Sequence, residues 1–167
     1  MWWKYSCNAI KRVCKESNID SKKIGSIGIS YQMHGLVVVD KNGSPLRDSI
    51  IWCDSRAVNI GNEAFEKLGQ KKCMSHLLNS PGNFTASKLK WVKDNEPEVY
   101  DKIYKYMLPG DYIAYKLTGE INTTRNGLSE GIIWDYKENK AANWLLEYYG
   151  IDTNLTPDII DNFSVQG

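Results

Sequence analysis

Three short polar segments of the chain carry side chains that could bind a small polar molecule. They are Gln32–Gly35, Trp52–Arg56 and Pro81–Thr85, and each leaves a predicted strand or enters a predicted helix. Together they offer an imidazole, a thioether, an indole, a carboxylate, a guanidinium and an amide. Such a mixture suits a polyol, because its hydroxyls need donors and acceptors while its C–H face packs on aromatic carbon. The three segments therefore predict a site for a small hydroxylated ligand.

Ordinary structural roles also fit these residues. A lone histidine at a strand end, such as His34, often only packs against its neighbours, and a tryptophan such as Trp52 is often part of a core. Asp54 could cap a helix or pair with Arg56 at the surface. Asn83 follows a Pro-Gly pair, a position typical of a turn. Taken alone, the residues leave the binding role and the structural role both open.

The composition is that of an ordinary globular domain. The 167 residues are 42% hydrophobic, enough to bury a sizeable core in one domain. Lys and Arg number 21 against 20 Asp and Glu, for a formal net charge of +1. A chain with so little net charge has no strong field to attract nucleic acid or an anionic membrane. We expect a small-molecule ligand and neither of those two partners.

The sequence predicts neither a metal site nor a membrane segment. Cys7, Cys14, Cys53 and Cys73 form no C-x-x-C pair, and the two histidines do not complete zinc-ligand spacing. No apolar run approaches the roughly 18 residues of a membrane span, and the start lacks a basic stretch followed by an apolar signal core. We therefore expect reduced thiols and a cytoplasmic location.

Apolar periodicity predicts the elements that must position the three polar segments. Helices are predicted at about 2–17, 56–68, from 85 onward, 95–102, 112–118 and 141–149. Strands are predicted at 24–30, 36–39, 49–52 and 106–108, with a hairpin turn at Asn42-Gly43. Alternating strands and helices predict an α/β layer architecture, in which helices cover a mixed sheet.

Local signals predict how some of these helices begin and which faces they expose. Asp54 or Ser55 is expected to cap the helix at 56–68. Asp111 is expected to cap the helix at 112–118 and not to act as a catalytic base. On the helix that begins at residue 85, the lysines are expected to form the solvated side. These lysines are Lys88, Lys90 and Lys93.

Four segments resemble, in order and spacing, the first domain of the FGGY carbohydrate kinases. They are Ile27–Gly35, Ile51–Arg56, Phe84–Trp91 and Leu108–Glu120. Within that family the likeness is greatest to the xylulokinases. The resemblance implies a ribonuclease-H-like domain of the actin and hexokinase type that lacks its first strands. On this basis residues 1–167 would be a partial N-terminal sugar-binding domain, with the C-terminal ATP domain absent.

The resemblance also implies roles for individual residues. In xylulokinases a Met-His pair contacts the ketose, and this pair maps onto Met33 and His34. Trp52 and Asn83 fall at positions that line the polyol site in related kinases, and Asp54 lies in the same segment as Trp52. The stretch Thr123–Gly131 departs from the commoner Ser-Asn-Ala pattern of the family. The candidate contacts with substrate are Met33, His34, Trp52, Asp54 and Asn83.

The activity implied is ATP-dependent phosphorylation of D-xylulose, or a similar ketopentose, to its 5-phosphate with MgATP as cofactor. Two alternatives remain at this stage. One is a kinase of the same family acting on gluconate, ribulose or glycerol, and the other is a non-enzymatic sugar-binding module. The family's Asp-x-Gly-Thr phosphate loop and its later Gly-rich Asp segment have no counterpart in this sequence. We therefore expect the chain alone to be inactive, to offer no catalytic residue, and to self-associate through an open sheet edge.

Overall fold

The structure is a computed structural model that describes residues 1–167. Helices and short strands alternate along the chain, and two 3₁₀ turns lie at Ser21–Lys23 and Thr153–Leu155. The helices are α1 (Trp2–Glu16), α2 (Val58–Leu68), α3 (Gln70–His76), α4 (Thr85–Asn95), α5 (Pro97–Tyr100), α6 (Pro109–Thr118), α7 (Arg125–Glu130) and α8 (Asn143–Tyr148). The strands are β1 (Val37–Val39), β2 (Lys105–Met107), β3 (Asn122–Thr124), β4 (Trp134–Asp135), β5 (Lys140–Ala141) and β6 (Asp158–Ile160). None of the helices is both long enough and apolar enough to cross a membrane.

The strands form three separate two-stranded sheets. β1 pairs antiparallel with β2, and β4 pairs antiparallel with β5, whereas β3 and β6 are parallel. The α/β class therefore agrees with the prediction, and both strand orientations occur. The difference is that the strands do not join into one continuous sheet.

β1 is buried on both of its faces, which explains its unbroken run of valines. Side chains alternate across a strand, and Val38 packs into the main core whereas Val37 and Val39 pack with Met107 in a second cluster. α4, α8 and the residues around β4 supply eight of the 21 residues of the main core. Strands covered on both sides are typically continuous apolar runs. Because β1 is fixed from both sides, the loop that precedes it is held at a defined place.

The turn after β1 forms as predicted. Asp40 and Ser44 are joined across the turn by a main-chain hydrogen bond of 3.0 Å. Gly43 has a φ of +71°, and a side chain there would overlap the ring of Tyr115. The predicted return strand at 49–52 is reduced to a single bridge between Leu36 and Ile50. Glycine is therefore required at this turn by both backbone and space.

The buried strand predicted at 24–30 is wrong. This segment contains no strand, and the side chain of Ile27 is 59% exposed. No other strand lies beside it, so its main-chain groups have no ladder to join. Isoleucine spacing alone does not reveal whether a pairing partner is present.

Two of the predicted helix starts differ in their capping residues. α2 begins at Val58 without a side-chain cap, because the carboxylate of Asp54 binds Arg56 instead. α6 begins at Pro109, so Asp111 is its third residue and accepts the Leu108 N–H at 3.3 Å. Asp111 thus stabilises the start of α6 as expected, from a position inside the first turn.

Candidate functional site

The three polar segments predicted from the sequence lie together, each at the end of a structural element. Gln32–Gly35 leads directly into β1, the second segment precedes α2, and Asn83 and Phe84 precede α4. We call them the first, second and third loops. His34 in the first loop has a φ of +60°, a left-handed conformation that costs a non-glycine residue about 1–2 kcal/mol. Backbone strain of this kind is concentrated at functional sites.

The side chain of Lys88, in α4, links the first and second loops. Its Nζ donates hydrogen bonds to the main-chain oxygens of His34 at 2.7 Å and Ile51 at 3.0 Å. The prediction that Lys88 is solvated is wrong, because the side chain is fully buried. Burial lowers the pKa of its ammonium group to about 8. A buried ammonium group needs hydrogen-bond partners. The carbonyl oxygens of His34 and Ile51 supply them, so Lys88 can lie on the buried face of α4.

Side-chain amides join the remaining loop edges. The main-chain N–H of Trp52 donates to Oε1 of Gln32 at 2.9 Å, which links the first and second loops. Nδ2 of Asn83 donates to the main-chain oxygen of Asp54 at 2.7 Å, which links the second and third. The imidazole of His34 meets the ring of Phe84 edge-on, with centroids 4.2 Å apart. All three loops are therefore part of one connected surface.

Two buried polar atoms of this surface have no partner in the chain. They are Nε2 of Gln32, a donor, and Oδ1 of Asn83, an acceptor. Buried polar atoms are nearly always hydrogen-bonded, so each exception needs an explanation. A ligand with hydroxyl groups can both accept from Gln32 and donate to Asn83. Gln32 was not among the predicted contacts, although it lies within the segment that suggested the site.

The apolar candidates are open to a ligand. The side chain of Met33 is 52% exposed and that of Trp52 is 61% exposed. Neither is part of a core cluster, so the structural role considered for Trp52 is absent. A thioether and an indole at the rim of polar loops offer the apolar contact area that the C–H face of a sugar needs.

Asp54 is engaged in a different interaction. Its carboxylate forms a bidentate pair with Arg56 at 2.7–3.0 Å, and the guanidinium lies 4.4 Å from the ring centroid of Trp91. The hydrogen bonds from Arg56 lower the pKa of the Asp54 carboxyl. The surface pairing that the sequence left open is therefore present. Asp54 contributes its main-chain oxygen to the loop network through Asn83.

Sequence reasoning missed Glu130, the last residue of α7. One carboxylate oxygen accepts the main-chain N–H of His34 at 2.5 Å, and the other accepts the hydroxyl of Tyr31 at 2.8 Å. Its main-chain oxygen lies 3.1 Å from Nδ1 of His34. Glu130 lies within Thr123–Gly131, the stretch that departs from the family pattern. That departure was the sequence signal that could have drawn attention to it.

The chain also has a mainly apolar cleft of about 360 Å³ next to Gln32, between α1 and α6. It is lined by residues such as Trp2, Tyr5, Ile29 and Ile113, and no charged side chain contributes to it. The lining also includes the hydroxyl groups of Ser6 and Ser30, but it contains none of the predicted contacts Met33, His34, Trp52, Asp54 and Asn83. The cleft is therefore not the site that the sequence predicts.

Cofactor binding has no comparable support in these residues. No group of three or more His, Cys, Asp or Glu side chains is arranged to hold a metal ion, and the four cysteines are free. Magnesium held with a nucleotide needs carboxylates and phosphate contacts together. These residues therefore contain no preformed metal site of their own.

A family model and curated relatives match this chain over its whole length. The family model described as the FGGY family of carbohydrate kinases, N-terminal domain, matches residues 1–167. A xylulose kinase of Staphylococcus xylosus is 33% identical over 168 residues, which cover 100% of this chain and 34% of that protein. The chain thus spans about a third of the length of the curated relatives that it matches.

Solved structures give the same result for the fold. A xyloylose kinase from Brucella ovis superimposes with a TM-score of 0.84 at 28% identity, over 95% of this chain and 33% of that one. A gluconate kinase from Lactobacillus acidophilus has a TM-score of 0.79 at 26% identity, over 90% of this chain and 31% of that one. These likenesses confirm the predicted α/β fold of the actin and hexokinase type. The chain belongs to the FGGY family of carbohydrate kinases.

Proposed function

We propose that the three loops bind a ketopentose such as D-xylulose, in the sugar-binding domain of a kinase that phosphorylates its 5-hydroxyl. The observation that carries this proposal is the pair of buried, unpartnered atoms, Nε2 of Gln32 and Oδ1 of Asn83. They lie in loops that are joined to one another and rimmed by the exposed side chains of Met33 and Trp52. His34 adds a ring nitrogen to the same surface.

The charges around the loops favour a neutral sugar over an acidic one such as gluconate. Binding a carboxylate calls for a cation that is free to pair with it. The ammonium group of Lys88 is occupied by two main-chain oxygens, and the guanidinium of Arg56 is paired with Asp54. An uncharged polyol needs no such cation. On this basis we favour a ketopentose over gluconate.

Phosphoryl transfer belongs to the whole protein in this proposal. Kinases of this family use ATP, and transfer depends on positioning the triphosphate and its magnesium ion. The chain has no cluster of three or more metal-ligating side chains, and its sequence has no counterpart of the family's Asp-x-Gly-Thr phosphate loop. We therefore propose that it contributes sugar binding and that it does not turn over by itself. The other two compounds considered above, ribulose and glycerol, are also neutral polyols.

Calorimetric titration of the chain with D-xylulose, D-ribulose, glycerol and D-gluconate tests the ligand. We expect D-xylulose to bind and D-gluconate not to bind. Replacing His34 by alanine should weaken xylulose binding by about five- to tenfold, the loss expected for one hydrogen bond. Binding of gluconate in preference to the pentuloses would overturn the choice of substrate.

Two methionines of nearly equal exposure, Met33 and Met74, supply a matched control. Met33→Ala removes a thioether at the loops, whereas Met74→Ala removes one that is 51% exposed on α3. Both side chains are half exposed, so neither change should affect stability much. We expect only Met33→Ala to weaken xylulose binding, because only Met33 lies at the loops. Equal affinities for the two variants would contradict a contact at Met33.

A coupled assay of ADP release separates the kinase from a sugar-binding module. We expect no xylulose-dependent ADP release from this chain, and release from the protein with full family length. A full-length protein that binds xylulose without releasing ADP would favour the non-enzymatic module. Xylulose-dependent release from the chain alone would overturn the assignment of transfer to other parts of the protein.

A further inference from the structure

The main chain of His34 is held in its left-handed conformation from two sides. Its N–H donates to the carboxylate of Glu130 at 2.5 Å, and its carbonyl oxygen accepts from Lys88 at 2.7 Å. The φ of +60° is unfavourable for a residue with a side chain. Hydrogen bonds to charged groups are among the strongest in proteins. Two of them, one at each end of the residue, oppose relaxation of the backbone.

The same glutamate also determines which ring nitrogen carries the proton. Nδ1 of His34 lies 3.1 Å from the main-chain oxygen of Glu130. A carbonyl oxygen can only accept a hydrogen bond, so Nδ1 must be the protonated nitrogen. In the neutral ring Nε2 then has a free lone pair, and it makes no hydrogen bond within the chain.

We propose that Glu130 is a positioning residue that holds the loop of His34 and fixes its ring so that Nε2 serves as a hydrogen-bond acceptor. This step rests on the proposed function. It implies that the ligand group facing His34 is a hydroxyl that donates a hydrogen bond to Nε2. A ketone or carboxylate oxygen cannot fill that role, because neither has a proton to donate. Glu130 acts through His34 and does not itself contact the sugar.

The ring tautomer can be measured without any ligand. Long-range ¹H–¹⁵N correlation spectra at pH 8 distinguish Nδ1–H from Nε2–H imidazoles. The chain has two histidines, so a His34→Ala variant assigns the two patterns. We expect the Nδ1–H form for His34. The Nε2–H form, or a rapidly exchanging mixture, would overturn the proposal.

Hydrogen exchange of the His34 amide tests the carboxylate. Glu130→Ala should speed exchange at this amide by at least about tenfold, because a charge-assisted hydrogen bond is lost. Glu130→Gln keeps an acceptor oxygen and should give a smaller increase. Two controls should leave the His34 amide unchanged. They are Tyr31→Phe, which removes only the other bond to the same carboxylate, and Glu138→Ala, which removes an exposed glutamate. Unaltered exchange in Glu130→Ala would refute the role of the carboxylate.

A double-mutant cycle connects this role to the ligand. Glu130→Ala should weaken D-xylulose binding by about the same factor as His34→Ala, and the double variant should be little weaker than either. Fully additive losses would show that Glu130 does not act through His34, and would overturn the proposal. If the unmodified chain bound no pentulose at all, the proposed function would fail, while the tautomer and exchange measurements would still decide the positioning role.

Discussion

Replacing Lys88 by methionine removes the ammonium group beneath the first two loops while keeping an apolar stem of similar length. The group makes two hydrogen bonds to main-chain oxygens, at 2.7 and 3.0 Å. Hydrogen bonds to charged groups contribute about 1.5–3 kcal/mol each, so their loss costs roughly 3–6 kcal/mol. The carbonyl oxygens of His34 and Ile51 would also lose these partners.

Burial of the charge offsets much of this cost near neutral pH. Desolvation lowers the pKa of Lys88 from 10.5 to about 8. At about 1.36 kcal/mol per pH unit, this difference is a penalty of roughly 3 kcal/mol on the charged form. Lys88→Met removes the penalty along with the hydrogen bonds. We therefore expect a net loss of only about 1–2 kcal/mol in the free energy of unfolding at pH 7.

The cost of this substitution should rise with pH. Between pH 8 and pH 10.5 the folded protein has lost the proton of Lys88 while the unfolded chain still holds it. The unfolded state then binds more protons, so the stability of the unmodified protein increases with pH. Methionine does not titrate. The difference between the two proteins should therefore grow by about 2–3 kcal/mol between pH 7 and pH 10.

Urea unfolding followed by tryptophan fluorescence at pH 7 and pH 10 measures this difference. Lys90→Met is the matched control, because Lys90 lies on the same helix and pairs with Asp94 at the surface. Its effect should stay within about 0.5 kcal/mol at both values. Titration of other groups is common to all three proteins and cancels in the comparison. A cost for Lys88→Met that stays constant or shrinks as pH rises would refute the proposed burial of a charge.

Three further predictions concern other parts of the structure. A side chain at Gly61 would overlap the main chain of Gly82. Gly61→Ala should therefore lower the free energy of unfolding, measured in urea titrations, by about 1–3 kcal/mol. Gly28→Ala is the control and should be neutral, because a side chain there would meet no other atom. Burial raises the pKa of Asp111 to about 7. Between pH 4 and pH 7 the folded state therefore holds a proton that the unfolded state has lost, so stability should fall as pH rises. Calorimetry should find that Asp111→Asn removes this fall. Light scattering should show concentration-dependent association that Ile27→Lys weakens, because Ile27 lies in an exposed, unpaired segment; a monomer at every concentration would contradict this.

The sequence predicts the helices near the loops well, because their signals are local. α2 and α4 begin within two residues of their predicted starts, and α2 and α6 each end at a glycine, a common helix-stop signal. Apolar spacing and a terminal glycine are both properties of neighbouring residues. A strand depends on a partner that is distant in sequence. The segment at 24–30 has strand-like composition but no partner, and so it was predicted wrongly.

The connections that hold the loops depend on distant residues in the same way. Lys88 has the sequence surroundings of a surface lysine, and its burial follows from carbonyl oxygens 54 and 37 residues away. Glu130 meets the amide of His34 across 96 residues. Sequence periodicity does not predict contacts between residues that are so far apart in the chain. The candidate contacts could therefore be proposed from their residue types, whereas the residues that hold the loops could not.

This division between holding and contacting residues has a consequence for specificity. Lys88, Gln32 and Glu130 bind main-chain atoms of the loops, so they hold the backbone whatever side chains the loops carry. Met33 and Trp52 are exposed and hold nothing else in place. Substitutions at these two positions should therefore change the preferred polyol while leaving the free energy of unfolding within about 0.5 kcal/mol. We therefore propose that exposed side chains of these loops determine the preferred sugar, on a backbone that Lys88, Gln32 and Glu130 hold in place.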